Sequence, residues 1–343
     1  AGSQIANRGL RIECRGPYAD SAVTVSQTLP QVYKTVEQCR LCGGLLKEVF
    51  CLGYDLALSG VFPKTWDEKV PSGPLTLMQC VLCKLLQLKE TYDPSLLYGE
   101  SYGYRSGLNP SMVKHLEEIY RIIPTKTDLS YGDLVVDIGG NDGTFLSFFP
   151  DYCEKFIVDP LAEKFRKFHN HHVVNDFFSM KTIPEKAKVI SALAVLYDLD
   201  DPVKFMAHVS ESLRDDGIFV CELSHAPTMV KNNSFDTICH EHLCYYTVPQ
   251  VLRLLEIAGM RAVHVELNNT NGGSMFIIAE KTNGTSVEWE KEEMDLLEFV
   301  GKIERVQKRL GDFFSTTTNV YGYGASTKGN ILLQITPHSH ELY

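Results

Sequence analysis

The segment 133–146, DLVVDIGGNDGTFL, joins an apolar run to a glycine-rich turn. The run 134–138 is short and rich in β-branched residues, which predicts a strand buried on both faces of a parallel sheet. The glycines that follow allow the backbone to turn sharply and to approach a ligand closely. The segment therefore predicts a strand that leads into a nucleotide-binding turn, followed by residues able to open a helix.

Acids near this turn indicate which cofactor it binds. Asp159 follows about 20 residues after the turn, at the end of the next apolar run, where an acid can hydrogen-bond ribose hydroxyls. Asp137 and Asp142 would repel a pyrophosphate but attract the sulfonium and amino groups of S-adenosylmethionine (SAM). We therefore expect SAM, with an NAD-dependent oxidoreductase and a purely structural turn as alternatives. The candidate cofactor-binding residues are Asp137, Gly139, Asn141, Asp142, Asp159, Asp176 and Phe177.

Residues 133–280 alternate apolar runs with helical patterns, which predicts a doubly wound α/β domain. The last two runs are separated only by NNTNGG, which predicts a hairpin at the sheet edge. Five crossover-linked strands with a terminal hairpin are the layout of SAM-dependent methyltransferases, and in open sheets the ligand lies at the carboxyl ends of the strands. The strand patterns are LVVDI, KFIVD, HHVVN, AKVISAL, GIFVCEL, MRAVHVEL and SMFIIAE.

Composition limits the class of protein. The chain has 343 residues, of which 44% are hydrophobic and 22% charged, with a formal net charge of -10. The acidic balance disfavours non-specific binding to nucleic acid or to anionic membranes. No apolar run reaches the roughly 18 residues of a membrane span, and no signal core is visible. We therefore expect a cytoplasmic protein that binds neither nucleic acid nor membranes.

Two C-x-x-C pairs, at 39–42 and 80–83, predict a zinc site. Each pair points two thiolates at one tetrahedral ion, so two pairs fill all four positions and leave no room for substrate. The ion is therefore expected to be structural, in a small zinc-ribbon-like domain. The 37 residues between the pairs exceed the usual ribbon spacing of about 15–20. The predicted ligands are Cys39, Cys42, Cys80 and Cys83, with Cys51 as an alternative.

A tyrosine-rich loop lies between the second pair and the glycine-rich turn. It contains Tyr98, Tyr102 and Tyr104 and ends at Arg105, so it offers hydroxyl donors and one guanidinium. Such a loop either covers a polar ligand as a flap or packs on a neighbouring domain. The Asn-Pro pair at 109–110 then predicts the cap and first residue of an amphipathic helix.

The segment 234–246, SFDTICHEHLCYY, concentrates reactive side chains. Histidine has an unperturbed pKa near neutrality, so a positioned His242 can take a proton from a carbon acid. His240 and His242 are two residues apart, which disfavours a metal ion shared between them. Either histidine can equally be a hydrogen-bonded packing residue.

The C-terminal part begins with an amphipathic helical pattern at 289–314. It leads into NVYGYGASTKGNILLQ, which resembles a second strand, glycine-rich turn and helix start. Backbone amides, hydroxyls and the ammonium group of Lys328 could bind a phosphate there.

Several motifs in a fixed order carry a family resemblance: CRLCGG, CVLCKLLQL, YGESYGYRSGLN, VVDIGGNDGTFL, FDTICHEH, ELNNTNGGSMFI and VYGYGASTKGN. Together they resemble the nucleotide-sugar C-methyltransferases of branched deoxysugar biosynthesis. The resemblance implies methyl transfer from SAM to carbon 3 of an NDP-4-keto-6-deoxysugar, with a dTDP-linked sugar as the expected partner. It also implies an N-terminal extension (1–36), a zinc-binding domain (37–105), a SAM domain (106–284) and the start of a C-terminal Rossmann-like domain (285–343).

Matched motif to motif, the resemblance makes His242 the candidate base and Glu241 a neighbouring active-site carboxylate. A C–H beside a ketone is acidic because its conjugate base is an enolate, so a neutral histidine suffices and no metal is needed at the reacting carbon. The candidate catalytic residues are His242, Glu241, Tyr102 and Tyr104, and the candidate substrate-binding residues are Arg105, Asn271 and Lys328.

Three features depart from the family pattern. Cys239 stands where relatives often carry a tyrosine, and Asp198 stands where they usually carry a histidine. The sequence also stops soon after the GYGASTKGN turn. These departures keep open a non-catalytic SAM-binding or zinc-ribbon interaction protein. O-methylation is a variant of the methyl-transfer hypothesis.

Overall fold

The computed structural model describes residues 32–63, 65, 67–99, 102–282, 284–322 and 326–337. All of them belong to one unit, Val32–Tyr343. Most of the predicted N-terminal extension lies outside the described residues. None of the helices described below combines the length and the apolar character needed to cross a lipid bilayer.

Short strands and one helical turn form the N-terminal part of this unit. They are β1 (Tyr33–Thr35), β2 (Leu46–Cys51), β3 (Leu56–Ala57), β4 (Ser72–Gly73), β5 (Thr76–Cys80), β6 (Leu86–Leu88), β7 (Glu90–Tyr92) and α1 (Pro94–Leu97). β2, β5 and β6 form an antiparallel sheet, β1 pairs with β7, and β3 pairs with β4. The first cysteine pair precedes β2, and the second begins at Cys80, the last residue of β5, and ends before β6.

The larger part of the unit is built on a seven-stranded sheet. Its elements are α2 (Pro110–Ile122), β8 (Leu134–Ile138), β9 (Glu154–Val158), β10 (His172–Val174), β11 (Ala187–Leu193), α3 (Pro202–Ser212), β12 (Leu213–Ser224), α4 (Ala226–Asn232), β13 (Cys244–Tyr245), α5 (Val248–Ile257), β14 (Met260–Asn268) and β15 (Ser274–Lys281). The strand order is β10-β9-β8-β11-β12-β15-β14, and β15 runs antiparallel to both of its neighbours. The predicted α/β fold with a terminal hairpin is confirmed. α2 begins as predicted, with Asn109 as its cap and Pro110 as its first residue.

β8 lies inside this sheet because four of its five residues are apolar, so that both of its faces can be covered. Its five residues are all buried. Leu134, Val136 and Ile138 enter one hydrophobic core, and Val135 enters a second. An alternating apolar and polar pattern would leave one of these cores incomplete. After the glycine-rich turn, the expected helix is a single turn of 3₁₀ helix, Leu146–Phe148.

β13 joins the two parts of the unit. It extends the N-terminal sheet beside β6, where Cys244 pairs with Gln87 and Tyr245 with Leu86. Because β13 follows His242 almost directly, the small sheet reaches the segment predicted to hold the base.

Two helices, α6 (Leu296–Thr316) and α7 (Thr327–Gln334), form the C-terminal part of the described chain. α6 buries Phe299 and α7 buries Ile331 in the larger core. Residues 319–322 form no strand, and 323–325 lie outside the described residues. Of the strand, turn and helix predicted here, the described residues therefore contain the helix.

Candidate active site

The four predicted zinc ligands lie together in the N-terminal part. Their sulfur atoms are all within 4.8 Å of one another. A tetrahedral zinc ion with Zn–S bonds of about 2.3 Å places its sulfurs about 3.8 Å apart, so the cluster fits this ion. Cys51 lies outside the cluster, with its Sγ 3.3 Å from the Gly53 carbonyl oxygen. The set is Cys39, Cys42, Cys80 and Cys83.

Neighbouring groups favour the thiolate form of Cys39, the form that binds metal ions. Its Sγ lies 3.5 Å from that of Cys83. The Cys83 thiol, with the backbone amides of Cys42 and Leu41, lowers the pKa of Cys39 to about 5. Because metal ions bind thiolates rather than thiols, the site offers a charged ligand at neutral pH.

The glycine-rich turn lies at the carboxyl end of β8. Gly139 has a φ of +69°, and a Cβ atom there would lie 2.6 Å from a methyl carbon of Val195. Both the backbone angle and the close packing therefore require glycine. Asp137 accepts a hydrogen bond from the Ser191 hydroxyl (2.6 Å), and burial raises the pKa of Asp137 to about 7. The turn thus keeps the tight geometry expected of a cofactor loop.

Two polar side chains of this turn contact the tyrosine-rich loop. Asn141 Oδ1 accepts the backbone N–H of Ser106 (3.1 Å), and Asp142 Oδ2 accepts that of Gly107 (3.0 Å). Arg105 Nε also lies 3.0 Å from Asp142 Oδ2. Asn141 and Asp142, both predicted to contact the cofactor, therefore hold the loop in this structure. Arg105, predicted to contact the substrate, is paired with Asp142.

A cleft of about 600 Å³ opens where β9 and β10 end. Its lining includes Tyr98, Leu161 and Asn175. Asp159 directly precedes this lining and accepts backbone N–H groups of Asn141 and Leu161 on its two carboxylate oxygens. The volume and the position at the strand ends are those of a small-molecule site, which makes the cleft the candidate cofactor cavity.

Asp176 and Phe177 follow β10 on the surface. The Phe177 side chain is 54% exposed, and Asp176 accepts the backbone N–H of Phe177. Within the described residues no hydrogen bond links either side chain to the glycine-rich turn, so their role stays a prediction.

His242 is oriented by Thr237. Its Nδ1 lies 2.9 Å from the Thr237 carbonyl oxygen. A carbonyl can only accept, so Nδ1 carries the proton and Nε2 keeps its lone pair. Burial lowers the pKa of His242 to about 4, and the ring is therefore neutral at neutral pH. It packs against the Tyr197 ring, with the centroids 4.3 Å apart.

Glu241 and His240 share a partner, Ser59, from the N-terminal part. The Ser59 hydroxyl donates to Glu241 Oε2 (2.9 Å) and lies 3.0 Å from His240 Nδ1. Burial raises the pKa of Glu241 and lowers that of His240 to about 4, so both groups favour their neutral forms. His240 and His242 face different partners, as their spacing suggests. Among the described residues, the cysteine set is the one group with metal-ligand geometry.

Asp198 lies among tyrosines. Tyr98 donates from its hydroxyl to Asp198 Oδ2 (2.9 Å), and the rings of Tyr98 and Tyr102 have centroids 5.7 Å apart. Asp198 Oδ1 is buried and has no hydrogen-bond partner in the described part of the chain. Burial, assisted by the nearby Glu241 carboxyl, holds the pKa of Asp198 well above its usual range. Burial likewise raises the pKa of both tyrosines, so the cluster favours protonated groups that can donate hydrogen bonds.

The remaining candidate residues differ in how near they lie to His242. Lys328 donates to the Asn271 carbonyl oxygen (3.1 Å), and its charge contributes to the lowered pKa of His242. Tyr104 is 50% exposed. The Cys239 thiol is buried and hydrogen-bonded to Glu241. Lys328 and Cys239 therefore lie near the candidate base, whereas Tyr104 faces solvent.

A histidine–glutamate pair at the end of β12 is not predicted by the sequence patterns. His115 Nε2 lies 2.7 Å from Glu222 Oε2, and Asn268 Nδ2 donates to Glu222 Oε1 (2.6 Å). Glu222 could have been recognised as an acid at a strand end. Nothing local indicates that His115, on α2, is its partner.

Two family models match the chain: a methyltransferase domain over residues 114–265 and a zinc binding domain over residues 39–98. The C-methyltransferase NovU of Streptomyces niveus is 28% identical over 352 residues, which cover 91% of this chain and 81% of NovU. A Dictyostelium discoideum protein named "Probable inactive O-methyltransferase 11" is 25% identical over 149 residues, 41% of each protein. The solved structure of mitomycin 7-O-methyltransferase MmcR aligns with a TM-score of 0.41 and 17% identity over 51% of this chain and 55% of that one.

The sheet order, the glycine-rich turn and the matched methyltransferase domain define a SAM-dependent methyltransferase. The chain carries a methyltransferase domain and a zinc binding domain, and it is similar to the C-methyltransferase NovU over 91% of its length. Its cofactors are SAM and a zinc ion held by the four cysteines.

Proposed function

We propose that the chain transfers a methyl group from SAM to carbon 3 of a nucleotide-linked 4-keto-6-deoxysugar, with His242 as the base. The observation that carries the proposal is the tautomer of His242. Its Nδ1–H donates to the Thr237 carbonyl, which leaves the Nε2 lone pair free, and burial keeps the ring neutral. A neutral, oriented imidazole is suited to removing a proton from a carbon beside a ketone.

The reaction begins at the C3–H bond of the sugar. His242 Nε2 takes the proton, the electron pair of that bond forms the C3=C4 double bond of an enolate, and negative charge moves to the C4 oxygen. Bound SAM supplies an electrophilic methyl group. With SAM bound, the enolate carbon would form the C3–CH3 bond as the S–CH3 bond breaks, which would release S-adenosylhomocysteine and restore the C4 ketone.

Neutral hydroxyl and carboxyl groups near His242 can stabilise the charge on the C4 oxygen. Tyr98 and Tyr102 keep their protons because burial raises their pKa. Glu241 and Asp198 are shifted towards their protonated forms by burial as well. Donors that are already buried need little reorganisation when charge develops, so they stabilise an enolate more than water does.

The sugar-nucleotide part of the proposal rests on the motif resemblance and on the position of Lys328. Its ammonium group is close enough to His242 to contribute to the lowered pKa of that ring. A diphosphate bound by Lys328 would place an attached sugar beside the base. The relative NovU, a C-methyltransferase, matches 91% of the chain.

Mass spectrometry of dTDP-4-keto-6-deoxyglucose incubated with SAM tests the proposal. Wild type is expected to add one methyl group, and His242→Ala to reduce the rate by about 10²–10⁴-fold, the usual contribution of a general base. SAM binding, measured by calorimetry, is the control and should be equal in both proteins. Methylation by His242→Ala at the wild-type rate would contradict the assignment of the base.

A non-catalytic SAM-binding protein is the second candidate function. Asp198 favours this non-catalytic alternative, because its carboxyl group accepts a hydrogen bond from the Tyr98 hydroxyl inside the candidate site. One of the relatives is also named as an inactive methyltransferase. SAM binding by wild type without methylation of any ketosugar would select this alternative.

A further inference from the structure

The first zinc knuckle contains a buried arginine that neither the zinc site nor the proposed reaction uses. Arg40 lies between Cys39 and Cys42, and its side chain is 2% exposed. Its Nη1 donates to the Leu88 carbonyl oxygen (2.6 Å) and its Nη2 to Thr91 Oγ1 (2.7 Å). A guanidinium group this deeply buried needs such partners, because burying a charge without them is costly.

Asp200 links Arg40 to the 3₁₀ helix Leu196–Asp198. Arg40 Nε lies 3.4 Å from Asp200 Oδ1, and the Thr91 hydroxyl donates to the same oxygen (2.8 Å). Asp200 follows the helix by two residues. The guanidinium group therefore holds the chain just after Asp198, on one flank of the candidate active site.

A second set of contacts runs from the same arginine to His242. Leu88, whose carbonyl accepts from Arg40, donates its N–H to the Leu243 carbonyl oxygen (2.9 Å). The Leu243 N–H in turn donates to the Tyr197 carbonyl oxygen (2.8 Å). Leu243 directly follows His242, so a closed ring of contacts joins the knuckle to both segments of the site.

We propose that Arg40 is a positioning residue for methyl transfer. Its contacts hold the segments that carry His242 and Asp198 in place against the zinc site. The inference rests on the proposed function of those two residues. The second knuckle adds a parallel contact, because Gln250 Nε2 donates to the Cys83 carbonyl oxygen (2.9 Å). The zinc ion then has a second effect besides stabilising its own domain: it fixes the backbone from which these contacts start.

Arg40→Lys and Lys34→Ala form a matched pair for the test. Arg40→Lys keeps the charge but removes the planar guanidinium group, whose three nitrogens contact Leu88, Thr91 and Asp200 together. Lys34→Ala removes the other cation on Asp200, which lies 2.7 Å away on a side chain that is 67% exposed. We expect Arg40→Lys to lower kcat by about 10- to 100-fold with KM near wild type, as for a misplaced catalytic group. Lys34→Ala should keep both constants.

Hydrogen exchange gives a readout that does not require turnover. Arg40→Lys should exchange faster than wild type at residues 196–200 and 239–245, and equally in the central strands β8 and β11, whereas Lys34→Ala should match wild type throughout. Asp200→Asn keeps the size of the side chain and should change the same peptides to a smaller extent.

Three outcomes decide the inference. Wild-type kcat and wild-type exchange in Arg40→Lys would overturn it. Loss of bound zinc from Arg40→Lys, measured by atomic emission, in proportion to the lost activity would also overturn it, because the arginine would then only hold the zinc. If wild type methylates no ketosugar, the proposed function fails, and the exchange pattern still decides whether Arg40 fixes the two segments.

Discussion

The zinc site and the candidate active site lie in one unit but differ in whether all of their polar groups have partners. The cysteine sulfurs face one another and fill a tetrahedral shell with no position left over. In the candidate active site, Asp198 Oδ1 is buried without a hydrogen-bond partner in the described residues. Buried polar groups in native proteins are normally paired, so this oxygen is available to a donor group of a ligand. The closed site supports the fold, and the incomplete site is available for chemistry.

Burial also acts on ionisation differently in the two regions. In the zinc site, the Cys83 thiol and backbone amides move Cys39 to its charged form, with a pKa of about 5. In the candidate active site, burial lowers the pKa of His242 to about 4 and raises that of Glu241, so both shifts favour the neutral forms. A charged thiolate suits a metal cation, whereas a neutral base and a neutral acid suit proton transfer.

Loss of the zinc ion should have the largest effect. Cys80→Ser removes one of four thiolates, and apparent zinc-binding free energies of about 10–16 kcal/mol match or exceed the roughly 5–15 kcal/mol net stability of a whole protein. Because β13 pairs with the zinc-site sheet, we expect calorimetry to show loss of the cooperative transition of the whole unit. Cys51→Ser, outside the cluster, is the control and should stay within about 1 kcal/mol of wild type. A transition that resists both chelation and Cys80→Ser would contradict a structural zinc ion.

Substitution of Asp198 should have an intermediate effect. Asp198→Ala removes the acceptor of the Tyr98 hydroxyl and the unpaired oxygen, so we expect kcat/KM to fall by about 10- to 100-fold. Asp198→Asn keeps a donor of similar shape and should lose less. An Asp198→Ala protein as active as wild type would exclude this residue from the site's chemistry.

The pH dependence of the same variants shows whether the Asp198 carboxyl acts as a hydrogen-bond donor or only fills space. Burial raises the pKa of Asp198 well above its usual range, so the carboxyl favours its protonated form and loses its proton at a higher pH than an ordinary aspartate. The donor is then lost, and kcat of wild type should fall on the alkaline side. Asp198→Asn has no proton to lose and should lack this limb in a pH–rate profile; the same limb in both proteins would assign it to another group.

The smallest effect is expected at His115. The hydrogen bond to Glu222 raises the pKa of His115 above its unfolded value. The pair therefore stabilises the fold fully below the unfolded pKa of about 6.5, and this contribution is lost as pH rises through the folded value. His115→Gln should cost about 1–2 kcal/mol in urea unfolding near pH 6 and less near pH 9. An equal cost at both pH values would assign the loss to packing.

The central sheet could be predicted from the sequence because strands buried on both faces carry unbroken apolar runs. The cysteine set could be predicted because a C-x-x-C turn has one geometry around a metal ion. β13 could not be predicted: Cys244 and Tyr245 are only two residues, and their partner strand β6 lies far away in the chain. No local pattern records so distant a pairing.

For the candidate site, the residues could be named but not their partners. The sequence predicts that Asp142 attracts positive charge, and in this structure the cation beside it is Arg105 of the same chain. Likewise, Glu241 was recognised as a candidate, but its partner Ser59 comes from the N-terminal part. Such contacts depend on how distant segments pack, which periodicity and spacing do not encode.

Deuterium exchange at carbon 3 shows whether His242 forms an enolate of the sugar. dTDP-4-keto-6-deoxyglucose would be incubated in D₂O with the protein and S-adenosylhomocysteine, so that no methyl group is available. Wild type should introduce deuterium at carbon 3, seen as loss of that proton's NMR signal, and His242→Ala should not exceed the rate in buffer. Exchange by His242→Ala at the wild-type rate would contradict the account.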